Sequence, residues 1–261
     1  MKKIIKLLSL VVMLAVMVSC SSTSKTQAVK YNDIRATFVT TQGDISFYLY
    51  PEASPVTVAN FINLAKRGFY DNTKIHRAVE NFVVQGGDPT GRGDGGPGYS
   101  IPDEFSKWLD FYQPGMLAMA NTGPETGGSQ FFFTLYPADW LNNKHTIFGE
   151  YIEEKDFNNI KKLEVGDVIK EIKFTGDVDL FLSLHKAQVE EWNATLDKNF
   201  PNLKKYPIKD KNEFSGESQA YYDELQRIYT KKDQKEEEEK EWFIPRFIRA
   251  TEKKIKDSKN N

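Results

Sequence analysis

Between Thr73 and Phe174 the chain holds no apolar pattern for long: short runs rich in β-branched and aromatic residues alternate with loops broken by Gly and Pro. The runs are Lys74–Arg77, Asn81–Gln85, Met116–Ala120, Gln130–Leu135, Thr146–Gly149 and Ile169–Phe174. Upstream, Ile34–Thr40 and Asp44–Tyr50 flank Gln42-Gly43, which reads as a β-hairpin and its turn. Many short strands with few helices predict a mainly β fold, a closed eight-stranded antiparallel barrel. Two helices cap it. In the first, Ser54 suits the N-cap and Pro55 the first helical position. Val58, Phe61, Ile62 and Ala65 then recur at helical spacing, and Gly68 suits the end. The second is predicted over Asp156–Leu163, before Gly166-Asp167 turns into the last strand.

The N-terminus is a targeting segment. Lys2, Lys3 and Lys6 precede an apolar run, Leu7–Val18, that is shorter than the about 20 residues a membrane-spanning helix needs. The simplest reading is a signal peptide cleaved without lipid attachment. However, Cys20, the single cysteine of the chain, stands where bacterial lipoproteins carry their acylated one. Met17-Val18-Ser19 resembles their processing box, with Met17 in place of the commoner leucine. That resemblance implies an envelope lipoprotein: residues 1–19 a signal peptide, Cys20 lipidated, residues 20–32 a Ser/Thr-rich flexible tether, and membrane attachment through the lipid. Ser21, in place of the acidic residue that often marks inner-membrane retention, points to the outer membrane and a periplasm-facing protein. One cysteine allows no intramolecular disulfide, so the core must carry stability. The formal charge of −2, more negative once three lysines are removed, gives no sign of a nucleic-acid partner.

Composition shifts after Gly176-Asp177, which divides a barrel domain, residues 33–177, from a helical extension, residues 178–261. Val178, Phe181, Leu182, His185, Val189, Trp192 and Leu196 follow helical spacing, as do Tyr221, Leu225, Ile228 and Tyr229. The charged run Lys231–Glu241 reads as a solvated helix face. Beyond it Trp242, Phe243, Ile244, Phe247 and Ile248 require burial, against the barrel or against a client or partner.

Arg77 follows Ile75-His76 in a strand-like run, and a single arginine there is by default a surface residue. Its company makes it a candidate for chemistry. Phe82, Val83, Phe132, Leu141 and His145 could line an apolar pocket, although each alone suits a core. Gln85 and Gln130 could hold a peptide backbone and orient Arg77, and Asn121 lies where a strand ends in a turn, its backbone and side chain placed to bond an extended chain. Five blocks recur in order: Ile-His-Arg at 75–77, Phe-x-x-Gln-Gly-Gly-Asp-Pro-Thr-Gly at 82–91, Pro-Gly-Met-Leu-Ala-Met-Ala-Asn at 114–121, Gly-Gly-Ser-Gln-Phe-Phe-Phe-Thr at 127–134, and Trp-Leu-x-x-Lys-His-Thr-Ile-Phe-Gly at 140–149. From Ile34 to Asp177 the sequence resembles the cyclophilin family. The resemblance implies peptidyl-prolyl cis-trans isomerase activity on proline-containing polypeptides, assisting protein folding, with Arg77 catalytic and no cofactor; His76, His145 and His185 lie far apart in sequence without partners at ligand spacing, so no metal site is expected. It implies that Phe82, Gln85, Ala120, Asn121, Gln130, Phe132, Trp140, Leu141 and His145 contact substrate. Val83 stands where the family commonly has methionine, Ile75 where it often has phenylalanine, and Thr122 where a small alanine follows the asparagine. The first of these shortens one wall of the pocket.

That activity breaks no covalent bond; it lowers a rotational barrier of about 18–20 kcal/mol in an X-Pro amide. Twisting the amide ends its resonance and gives the prolyl nitrogen a lone pair, which a cation or donor can stabilise selectively. Arginine stays protonated and carries rigid donors, so it suits that role. The rival reading is a non-catalytic module or chaperone on a lipoprotein that binds the same segments without turnover; such a binder has no need of the cation. Two other patterns carry less. Gly91-x-Gly93-x-x-Gly96 fits a dinucleotide fingerprint, but Pro97-Gly98 follows where a helix is required. Asn193-Ala194-Thr195 is a glycosylation sequon, discounted in a bacterial lipoprotein.

Overall fold

The structure, a computed structural model, describes residues 34–210, 213–214 and 227. The signal segment, Cys20, the tether, and the charged and apolar runs after residue 227 lie outside the described residues.

Strands β1 (Arg35–Thr40), β2 (Gly43–Leu49), β3 (Thr73–Lys74), β4 (Arg77–Val79), β5 (Val83–Gly86), β6 (Met116–Met119), β7 (Phe131–Thr134), β8 (Ile147–Tyr151) and β9 (Val168–Thr175) form one curled sheet. Its order is β3-β9-β1-β2-β8-β6-β7-β5-β4, and every pairing is antiparallel. The expected eight strands are nine, because the run read over Lys74–Arg77 changes neighbour halfway. Thr73–Lys74 pairs with β9, whereas Arg77–Val79 pairs with β5. Between them Ile75 N–H donates to Asp167 O at 2.8 Å and His76 N–H to Gln85 O at 3.1 Å.

Strand alternation fills the core. Phe38 of β1 lies with its ring centroid 5.3–5.7 Å from those of Phe47, Phe61, Phe131 and Phe133, three of them edge-on. Each fully buried ring of this kind contributes about 1.5–3 kcal/mol relative to exposure. Phe61 comes from helix α1 (Pro55–Lys66), and helix α2 (Glu154–Ile160) packs against β2 and β8.

Two helix starts differ from expectation. Ser54 does not cap α1; its hydroxyl donates to Ile147 O at 3.2 Å, and the Glu104 carboxylate instead takes the N–H groups of Val56 and Thr57 at 3.2 and 2.8 Å. A cap from a distant loop leaves no local sequence mark. α2 begins two residues before Asp156, because the Asp156 carboxylate accepts from Glu153 N–H at 2.9 Å and so occupies the first turn.

The apolar stripe from Val178 onward forms two helices, α3 (Val178–Leu184) and α4 (Lys186–Asn199), divided at His185. Val178, Phe181, Leu182, Val189, Trp192 and Leu196 are all buried in the same core as the sheet. This second layer explains why α1 is buried on both faces. Asn63 and Arg67, polar residues that an amphipathic helix would turn to water, are buried here. Asn193 Oδ1 accepts from Asn63 Nδ2 at 3.1 Å and from Arg67 Nη1 at 2.8 Å; Arg67 also pairs with Asp197, and Tyr206 OH donates to Asn63 Oδ1 at 2.7 Å. The amide of the sequon-like triplet is therefore part of the packing between α1 and α4.

Candidate active site

Alternation also builds the outer face of the sheet. In Phe131-Phe132-Phe133, the outer two rings enter the core while Phe132 points the opposite way, into a second apolar cluster with Val83, Phe111, Met116, Ala118, Leu141 and Ile147. Register then sets a row. Arg77 of β4 lies opposite Gln85 of β5, Gln85 opposite Phe132 of β7, and Phe132 opposite Ala118 of β6. An exposed cation, an amide and a buried aromatic floor thus follow one another on three adjacent strands, two spacings of about 4.8 Å each.

A chain of amides orders the cation. Arg77 Nη1 donates to Gln85 Oε1 at 3.3 Å, Gln85 Nε2 to Gln130 Oε1 at 3.0 Å, and Gln130 Nε2 to Gly93 O and Gly95 O at 3.1 and 2.9 Å. The loop that ends this chain is closed by Asp88. Its buried carboxylate accepts from the N–H groups of Thr90, Arg92, Gly93 and Gly95. Burial alone would raise its pKa, but these bonds to the charged form outweigh it and bring it down to about 2. The glycine-rich fingerprint is this loop, and no helix follows it.

Aromatic groups flank the row. Phe82, half-buried, lies 5.6 Å from the Arg77 guanidinium carbon, and exposed Trp140 stacks on Phe82 at 5.8 Å. His145 meets Phe132 edge-on at 5.3 Å, and its Nδ1 lies 3.1 Å from Met119 O; a carbonyl only accepts, so Nδ1 carries the proton of the neutral ring. Burial holds the His145 pKa below its ordinary value, with the Met119 bond opposing. Val83 and Leu141 are buried beside Phe132.

Beside Gln85 and Gln130 opens a groove of about 530 Å3, lined further by the loop Gly93–Ser100 and by Ala120, Asn121, Thr122 and Thr126. Here the structure sharpens one expectation. The Asn121 side chain donates inward, to Lys144 O at 2.7 Å and Asp103 Oδ1 at 3.3 Å, while Ala120 N–H donates to Gln130 O at 2.9 Å. The Asn121 amide thus ties the turn to residue 144, and it is the peptide unit between Ala120 and Asn121 that can meet an extended chain.

All eleven residues singled out in the sequence for the pocket lie around this row and its groove. Phe111, Met116, Ala118 and Ile147 complete the floor and were not singled out; Phe111 stacks on Phe132 at 6.0 Å. Met116 and Ala118 share one phase of a short strand, which is the only mark that could have placed them. Phe111 sits in a segment with no periodicity. Chemically, the site combines a cation held at the edge of an apolar, aromatic floor with a polar groove for an extended backbone.

A family model described as "Cyclophilin type peptidyl-prolyl cis-trans isomerase/CLD" matches residues 35–180. "Peptidyl-prolyl cis-trans isomerase B" of Streptomyces anulatus is 50% identical over an alignment covering 44% of this chain and 74% of that protein. "Probable peptidyl-prolyl cis-trans isomerase A" of Mycobacterium bovis is 47% identical, covering 45% and 73%. Among solved structures, a cyclophilin type peptidyl-prolyl cis-trans isomerase from Cryptosporidium parvum superposes with a TM-score of 0.52 at 32% identity, covering 56% of this chain and 99% of that one. The same protein, solved in the presence of the dipeptide Ala-Pro, gives 0.51 at 33% identity, covering 55% and 99%.

Proposed function

This chain belongs to the cyclophilin family of peptidyl-prolyl cis-trans isomerases, and from that premise we propose that Arg77 is its catalytic residue. The proline ring seats on Phe132 between Val83 and Leu141, and the peptide continues along the groove past Gln85, Gln130 and the Ala120–Asn121 peptide. The guanidinium then faces the amide being twisted. As resonance is lost, the prolyl nitrogen gains a lone pair, and donors already fixed by Gln85 stabilise that charge without having to reorganise. The pocket excludes water from one side of the amide, which strengthens the same interaction. Phe82 and Trp140 bound the open side of the hollow, and His145 supplies a neutral edge to the floor.

The observation that carries this reading is the continuous relay from Arg77 through Gln85 to Gln130, set in register with the Phe132 floor. It is tested by the isomerisation rate of a proline tetrapeptide with the full-length chain, beside Arg77→Ala. Wild type should exceed the uncatalysed rate and the variant should lose most of the excess. A wild-type rate equal to the uncatalysed one would remove the assignment.

We further propose that the sheet closes on itself. Residues 73–79 pair with β9 through Thr73 and Lys74, bond the turn just before β9 through Ile75, and meet β5 through His76–Val79, so β3 and β4 act as halves of one strand in an eight-stranded barrel. The isomerase domain is residues 33–177, and the extension that follows it adds α3 and α4 to the same core. At the N-terminus the short apolar run ending at Ser19-Cys20 supports a signal peptide and a lipidated Cys20, hence an envelope protein, anchored on the periplasmic side of the outer membrane, that acts on neighbouring envelope chains. Cys20→Ser should release the protein from membranes; unchanged membrane association would sink the anchor.

A further inference from the structure

One wall of the groove is the loop Gly93–Ser100, and it is held from two directions. At its start Gln130 reaches the carbonyls of Gly93 and Gly95. At its end Tyr99 is stacked on Trp192 of α4, with ring centroids 5.7 Å apart and planes within 9°. The Tyr99 hydroxyl donates to Asn60 Oδ1 at 2.8 Å, and Asn60 Nδ2 donates to Gly128 O at 2.7 Å on another lining segment. Next to Tyr99, Gly98 has φ of +92° and lies so close to α4 that a Cβ there would overlap the Asn199 amide and touch Thr195. Trp192, Thr195 and Asn199, spaced as one stripe of a helix, therefore all bear on this wall. All three lie beyond residue 180, where the family match ends.

We propose that α4 is a specificity element of the active site, in which Trp192 and Asn199 fix the Gly98–Ser100 wall and so decide which side chain flanking the proline the groove accepts. The proposal rests on the reading of that groove as the seat of the peptide beside the proline. The wall cannot retreat while Tyr99 is clamped between Trp192 and the Asn60–Gly128 bonds. Its lining is polar, with Ser100, Thr122, Thr126 and the backbone of Gly95 and Gly96, so the clamped groove suits a polar flanking residue and offers an apolar one little surface to bury against. Trp192 is a positioning residue, acting through Tyr99.

The test compares the full-length wild type with Trp192→Phe, Trp192→Ala and Asn199→Ala on proline tetrapeptides that differ only in carrying Ser or Leu at one flanking position. Wild type and Trp192→Phe should prefer Ser. Trp192→Ala should narrow that preference roughly fivefold, through a lower KM for the Leu peptide at unchanged kcat. Asn199 is exposed, so Asn199→Ala keeps the fold and should shift the preference the same way; it carries the test if Trp192→Ala does not fold. Equal preferences in wild type and every folded variant, or a shift in kcat alone, would overturn the proposal. Absence of turnover in wild type would instead overturn the isomerase reading on which it rests.

Discussion

Gln85 and Gln130 face each other at 3.0 Å, Nε2 of the first donating to Oε1 of the second, and this fixes which way round each amide lies. Gln130 must turn its own Nε2 to the loop carbonyls, and Gln85 must turn its Oε1 to Arg77. One orientation thus propagates from the loop to the cation. Gln130→Ala should leave Gln85 free to flip and lower kcat/KM by about tenfold, a loss of roughly 1.4 kcal/mol of transition-state stabilisation. Proline-tetrapeptide kinetics would check this, and an unchanged kcat/KM would show that the amide relay does not order Arg77.

Removing the cation itself should cost more. Arg77→Ala is expected to lower kcat about 10²- to 10³-fold, the range for losing one preorganised donor at developing charge. Arg77→Lys keeps the charge but not the fork that meets Gln85, and should recover only part of that loss. Equal activity of lysine and arginine enzymes would mean that charge alone is sufficient.

The packing between α1 and the C-terminal segment predicts a stability effect far from the pocket. Tyr206→Phe deletes the hydroxyl that donates to Oδ1 of buried Asn63. The orphaned acceptor should destabilise the fold by about 1–3 kcal/mol, read as a lower urea midpoint. A midpoint identical to wild type would indicate that this segment is not docked on α1 in solution.

His185, at the junction of α3 and α4 with its ring edge-on to Phe181 at 4.9 Å, gives a pH dependence. Burial lowers its pKa from 6.5 to about 4 in the folded protein. Between those values the unfolded chain binds the extra proton, so stability present above about pH 6.5 is lost as pH falls toward 4, by up to about 3 kcal/mol. His185→Gln should flatten that slope in urea titrations at pH 7 and pH 4.5. A wild type and variant that lose equal stability over the interval would assign the slope to other groups.

Most of the strands were legible because alternation is a local signal. β2, β5, β7 and β9 fall within a residue or two of the runs read from β-branched and aromatic residues, and α1 begins at Pro55 as its spacing requires. The pocket was legible for a different reason: its residues are grouped in short ordered blocks, so Arg77, Gln85 and Gln130 could be singled out before any register was known. What escaped reading is what distant chain supplies. Glu104 caps α1 from a loop, Lys74–Arg77 divides between two neighbours, and Asn63 and Arg67 are buried only because α4 and Tyr206 come to meet them. The direction of the Asn121 amide belongs to the same class, since its partner is Lys144 O.

The pairing of β1 with β9 sets Arg35 opposite Thr175 and Phe38 opposite Ile172. The first strand to leave the ribosome therefore waits for the last before it has this neighbour, while Phe38 also awaits Phe131 and Phe133 from the middle of the chain. Contact order of this kind favours folding in milliseconds to seconds, after synthesis of the whole domain, over piecewise folding during it. A protein that hastens a slow step in the folding of other chains is thus itself a late folder, whose exposed phenylalanine strands depend on prompt completion by β9.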